Sequence, residues 1–278
     1  MTRATLDPNL AQVVPSALRA ELAALRAEHD ELTLILDGAE PALAPALPAL
    51  VALAREVGFL RVGARADAQA LARSEVAARL CRAGLDDLLV PLYGPSAACH
   101  DYHLDQSGAF AATCVALDAA QAAGLTLAAT TTASRSSFRA LDELAALLAR
   151  RGFVAWQITM PTGIAASDER FARLVPRFAL ALPYALHAVE QARGLGLGAR
   201  LRGAPLCRLG PHAAWQLPTR ARRFARPCQA CAARSQCPGV DASYLEAYGE
   251  QELRALSQAA APPAPLAPAE RLLVEHDG

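Results

Sequence analysis

The chain has 278 residues, 53% hydrophobic and 19% charged, with 27 basic and 27 acidic side chains and a formal net charge of zero. That balance argues against a general nucleic-acid binder, which is normally basic. Every one of its cations outside histidine is arginine, so catalysis through a lysine Schiff base or a P-loop lysine is excluded.

In chain order, residues 1–12 read as a frayed start. The opening MTRATLDPNLAQ has no basic segment leading into an apolar run, so no secretory signal is expected. Residues 15–29, centred on LRAELAALRAEH, predict a helix. Strand and helix then alternate: strand 31–38 (ELTLILDG), helix 49–58 (ALVALAREVG), strand 60–66, helix 68–84 ending on a glycine stop, strand 86–94 and helix 108–124. Strand 125–132, helix 137–152, strand 153–160, a helix or helix pair over 167–194 and a short strand 199–203 complete the series. Such alternation marks a parallel α/β protein. The apolar runs LLV and VAWQI suit strands buried on both faces. An open doubly wound sheet and a barrel both fit this spacing, and in either the functional residues belong at the carboxyl ends of the strands. Residues 240–256 predict one short helix. The proline- and alanine-rich stretch from Ser257 predicts a disordered tail. No stretch of about 18 apolar residues lacks a charge or proline, so no membrane span is expected and a cytoplasmic location is the default.

The strongest chemical signal is the spacing Cys207-x20-Cys228-x2-Cys231-x5-Cys237. A C-x2-C pair puts two thiolates on one turn, and two more sulfurs from flanking loops complete a four-coordinate shell. Pro227, Pro238 and Gly239 supply the turn residues. Thiolate spacing alone leaves a [4Fe–4S] cluster and a zinc ion both open. His212, between the first two cysteines, reads as a surface loop residue, and Trp215 as packing beside the metal. Arg220, Arg222, Arg223 and Arg226 either offset thiolate charge, bind an acidic peptide or phosphate, or form a solvated loop, the last being favoured. Cys99, His100, His103 and Asp105 form a second metal-like group, for which a structural loop is the preferred reading. Cys81 and Cys114 read as buried inert thiols and Trp156 as core.

Two strand ends carry a further pattern. Asp37-Gly38-Ala39-Glu40-Pro41 closes the first predicted strand, and Pro91-Leu92-Tyr93-Gly94 the third, followed by His100-Asp101 and Gly108-Ala109-Phe110. This order resembles the radical S-adenosylmethionine (SAM) superfamily, whose second strand ends in GGEP and whose fourth is followed by HD and then G-x-F. The cysteines and the continuation CPGVDASYLEAYGEQEL resemble its SPASM or twitch auxiliary-cluster modules. The resemblance implies a partial (β/α) TIM-type barrel over 31–204, entered through an N-terminal helix in 1–30. It also implies a cysteine-rich module over 205–254 holding an auxiliary [4Fe–4S] cluster on Cys207, Cys228, Cys231 and Cys237, with zinc as the alternative, and a tail over 255–278. Gly38, Glu40 and Pro41 would match the strand end that holds the SAM amino group. Substrate, a peptide in many auxiliary-cluster members, would meet Glu40, Tyr93 and Thr130.

One departure bears on activity. The superfamily's C-x3-C-x2-C motif, which binds the SAM-cleaving cluster, has no counterpart, and no cysteine precedes Cys81. GGEP has become Gly38-Ala39-Glu40-Pro41, and the asparagine–glycine turn after the next strand is Arg65-Ala66-Asp67. Reductive SAM cleavage is therefore not expected of this chain. It reads as starting at the family's first helix, with the first strand absent and an open edge beside ELTLILD for a second copy or a partner chain to cover. The sequence thus supports a radical SAM-related iron–sulfur protein acting on a peptide or other small substrate once completed by an N-terminal segment. The alternative is a catalytically inactive binding partner with a structural four-cysteine site.

Overall fold

The computed structural model describes residues 2–6, 15–28, 33–38, 47–66, 74–217, 219 and 222–273. Seven strands, Thr2–Leu6 (β1), Thr33–Gly38 (β2), Arg61–Arg65 (β3), Asp87–Pro91 (β4), Thr126–Thr132 (β5), Ala155–Thr159 (β6) and Gly198–Arg202 (β7), form one parallel sheet in sequential order. Between them lie α1 (Pro15–Glu28), α2 (Leu47–Val57), α3 (Ser74–Arg82), α4 (Ala97–Leu104), α5 (Ala109–Ala122), α6 (Leu141–Arg150), α7 (Glu169–Leu174) and α8 (Phe178–Gly194). Parallel crossovers share one hand. A strand order that never reverses therefore sends every crossover to the same face, and the sheet curls away from the helices into an open barrel. A doubly wound sheet would need a reversal, and none occurs.

Period-two alternation then decides which side chains meet the helices. Leu34, Leu36, Val62, Ala64, Leu88, Val90, Leu127, Ala129, Trp156 and Ile158 join the main core with the helices. Their neighbours Ile35, Leu89, Ala128 and Ala155 form a second, inner cluster on the concave face. Trp156 is fully buried, as expected of a core residue, and its indole donates to Thr131 Oγ1 at 2.9 Å.

The structure corrects two expectations. Residues 2–6 are not frayed, and the first strand is not absent. Thr2–Leu6 pairs in register with 34–38. The edge of β2 is therefore covered from within the chain, and β1 is the outermost strand on that side. The tail is not wholly disordered either. Pro268–Leu273 is a 3-10 helix with Glu270, Leu272 and Leu273 buried. The short helix α4 lies where the sequence suggested only a loop.

Beyond β7, Gln216 bridges Leu201, and the chain enters the cysteine-bearing region. Its helix α9 (Ala242–Tyr248) docks on the start of α8. The Phe178 amide donates to Tyr244 Oη at 2.7 Å, the Tyr248 hydroxyl donates to Val175 O at 2.6 Å, and the Phe178 and Tyr244 rings stack at 4.1 Å. Asp241 caps α9 through the Ser243 amide and also accepts from Gly163 N at 3.2 Å, tying the loop after β6 to this region.

Candidate metal centre and barrel mouth

The four cysteines, 30 positions apart at the extremes of the sequence pattern, line one cavity together with Phe224, Val240 and Arg254. Cys207 sits on the 3-10 turn Leu206–Arg208 directly after β7, so the barrel's last strand positions the first thiol. Cys228 lies in the 3-10 turn Arg226–Ala230 and Cys231 caps it, its amide donating to Cys228 O at 3.3 Å. The Cys237 amide donates to Arg234 O, and the chain then turns through Pro238 and Gly239. Gly239 has φ +69°, and a Cβ there would stand 2.6 Å from Arg223 O. Only glycine fits this bend, which the Arg223–Val240 bridge closes.

Backbone amides aim at the sulfurs. Leu206 N and Gly239 N lie 3.5 and 3.4 Å from Cys237 Sγ, and Leu256 N lies 3.4 Å from Cys231 Sγ. Amide donors of this kind favour a thiolate or a metal-bound sulfur over a neutral thiol. Burial pushes the Cys207 and Cys228 thiols up, opposed by amide hydrogen bonds and reinforced by the charges of the other cysteines. Without a cation to offset them, burial and that repulsion favour the protonated Cys207 and Cys228 thiols. The donor set and the amides therefore suit a thiolate-bound metal or cluster. Among the described residues, no group of three His, Cys, Asp or Glu is arranged for a single metal ion.

The barrel-mouth residues read from the sequence are partly in view. Gly38 ends β2 opposite Leu6, whereas Glu40 and Pro41 lie outside the described residues. Thr130 points inward from β5, 3.5 Å from Arg65 Nη2. Tyr93 follows β4 and stacks on His103 at 4.0 Å. The His-Asp pair has structural work. Asp101 accepts from the amides of Gly108 and Phe110, both at 2.7 Å, and so caps α5, while His100 Nδ1 accepts from Tyr93 N at 3.3 Å. Asp105 takes a left-handed conformation at the end of α4, and Cys99 Sγ faces the carbonyls of Tyr93 and Ser136. Cys99, His100 and His103 lie on α4 and Asp105 ends it, and among the described residues the four do not gather as ligands. Of the arginine run, Arg222 and Arg223 make backbone pairings to Pro238 and Val240 that shape the cysteine region. Trp215 packs on His212 and under Arg193, away from the thiol-lined cavity.

Sequence reading missed the inward-facing polar row Gln157, Thr159, Arg200 and Arg202, on β6 and β7. The signal was there in the alternation of Arg200 and Arg202 with Ala199 and Leu201. Arg200 and Arg202 are buried, and Arg200 pairs with Glu270 at 2.6 Å. Burial alone would raise the Glu270 carboxyl, but hydrogen bonds from Arg200, the Ala267 amide and Arg193 outweigh it and hold it below the usual carboxylate range.

With that geometry in hand, the comparisons divide. No protein-family model and no curated protein matches the sequence. Solved structures share the fold. Streptococcus suis SuiB superposes with a TM-score of 0.53 at 10% identity, over 69% of this chain and 44% of that one. anSMEcpe, solved with bound AdoMet and the Cp18Cys peptide, gives 0.55 at 10% identity, over 67% and 55%. Methylornithine synthase (PylB) gives 0.51 at 10% identity, over 69% and 55%. What the chain shares with them is the fold, an open parallel (β/α) barrel. The chain spans about half the length of these structures. SuiB has also been solved bound to S-adenosylmethionine and to its precursor peptide SuiA. Among the described residues no helix is long and apolar enough to cross a membrane.

Proposed function

We propose that this chain is a radical SAM-related iron–sulfur protein that binds a peptide and holds a [4Fe–4S] cluster on Cys207, Cys228, Cys231 and Cys237. The observation that carries the reading is the common cavity of the four thiols, with backbone amides directed at their sulfurs. A lone zinc ion needs all four sulfurs about 2.3 Å from one point. The four-thiolate donor set suits a zinc ion or a [4Fe–4S] cluster, and the resemblance of the cysteine spacing to auxiliary-cluster modules favours the cluster. When bound, the cluster would supply electron transfer or a structural anchor. The peptide reading is supported by SuiB and anSMEcpe, each solved with a peptide.

The same reading assigns no SAM cleavage to this chain. β1 stands where the family's first strand would, so the following loop is where its cluster motif would fall. Residues 7–14, next in the sequence, read DPNLAQVV, without a cysteine. Gly38, Glu40 and Pro41 are then a vestige of a SAM strand end or a binding surface for another polar group.

Iron, zinc and acid-labile sulfide content of anaerobically purified protein tests the proposal. About four irons with matching sulfide, lost in Cys228→Ala, is the expected result. About one zinc without sulfide would replace the cluster by a structural knuckle and remove electron transfer from the reading.

A further inference from the structure

The concave face of the barrel is occupied by the chain's own C-terminal segment. Residues 257–267 carry no helix or strand and are largely exposed. The chain then turns inward, and Leu272 and Leu273 pack on Ile35, Leu89, Ala128, Ala155 and Leu217. Glu270, 1% exposed, receives Arg200 Nη2 and Arg193 Nη1, each at 2.6 Å, and its own Ala267 amide at 3.0 Å. Arg200 also donates to Pro265 O at 2.8 Å, and Arg202 Nη2 lies 3.4 Å from Leu273 O. Gly198 leaves the space this requires, since a Cβ there would stand 2.7 Å from Glu270 Cγ.

A closed (β/α) barrel fills its interior with layers of bulky strand side chains. Here the inward positions Gly63, Ala128, Ala155 and Gly198 are too small to do so. Two arginines instead stand ready for one carboxylate, with an apolar shelf beside them. A purely structural filler has no need of a buried ion pair, because apolar side chains of similar volume serve as well or better. Beside the segment a cavity of about 280 Å³ opens between Thr33, Arg61, Thr126 and Val154 of the barrel and Pro268, Arg271 and Leu272 of the segment. Small inward residues, a paired cationic clamp and an irregular exposed tether are the parts of a peptide site with its occupant attached.

We propose that the barrel lumen is a binding site for an acidic, leucine-bearing peptide, and that residues 266–273 are its tethered occupant. The segment closes the lumen to peptides supplied in trans until it is displaced. The inference is independent of what the cysteines hold.

The test inserts a specific protease site between Ala260 and Pro262 and compares cleaved with intact protein. A fluorescent peptide of residues 262–273 is expected to exchange into the cleaved chain saturably, and to bind the intact chain far more weakly. The same peptide carrying Glu270→Gln should bind about a hundredfold more weakly or worse, because it leaves the buried Arg200 without its counter-charge. As a second arm needing no cleavage, the intact Glu270→Gln chain should admit the wild-type peptide that the unmodified chain excludes. A cleaved chain that never exchanges its fragment, or that unfolds by circular dichroism when the fragment leaves, would make the segment a structural floor and overturn the proposal. Equal binding to intact and cleaved chains, or indifference to Glu270→Gln in both arms, would overturn it as well.

Discussion

Two buried polar assemblies lie on either side of β7, and they differ in whether the chain completes them. In the lumen, Glu270 is matched by Arg200, Arg193 and a backbone amide, so the charges close on themselves. In the cysteine cavity, four thiols share one lining with Phe224, Arg234 and Arg254, and backbone amides are directed at two of the sulfurs. A self-satisfied cluster explains its own burial. Four thiols gathered on one cavity are a donor set that a thiolate-bound metal or cluster would complete, which is why the proposed cofactor belongs to the second region and not the first.

The sharpest way to break this contrast is to remove a thiol. Cys231→Ser should abolish iron and sulfide retention while leaving the far-ultraviolet circular dichroism of the barrel in place, because it exchanges one atom of a half-buried side chain outside the sheet. Next in size, Glu270→Ala should destabilise the fold by about 3–5 kcal/mol, the cost of stranding a buried charge. Thermal melting of the full chain measures it. The double change Glu270→Leu with Arg200→Met should recover much of that loss, since both halves of the pair are then apolar.

The pH dependence refines the same point. The Glu270 carboxyl is held below its usual range in the folded state. Its stabilisation is therefore complete above the unfolded carboxyl's pKa and is lost as pH falls through the depressed folded value. The melting-temperature gap between wild type and Glu270→Gln should be constant at neutral pH and shrink below about pH 4. The smallest effect belongs to a region outside both assemblies. Asp101→Ala removes the cap on α5 and should cost about 1 kcal/mol in chemical denaturation, with no change in metal content.

Most of the sheet was legible because its strands and helices differ in period. Apolar residues at 34, 36, 88, 90, 156 and 158 and the glycine stop after α3 give the alternation away. What escaped did so for physical reasons. β1 is short, and its five residues carry only two bulky apolar or β-branched positions on any one face, too few to register without the neighbour it pairs with. The 266–273 segment follows a run of alanine and proline whose composition resembles disorder. Its order comes from Arg200 and Arg193, which lie 70 and 77 positions before Glu270. The cysteine quartet was plain from spacing, whereas its amide donors from Leu206, Gly239 and Leu256 depend on how three separate turns converge. The His-Asp pair was visible as a motif, but its role as a helix cap required the position of Gly108 and Phe110.

The late arrival of Glu270 has a consequence for how the protein is made. Strands pair in sequential order, so each can add to its predecessor as the chain leaves the ribosome, at roughly 5–20 residues per second. Arg193 and Arg200 are synthesised some 70 positions before their carboxylate. For several seconds a nearly finished barrel stands with two cations in an open lumen. Any acidic peptide present during that interval meets the site before the chain's own segment does.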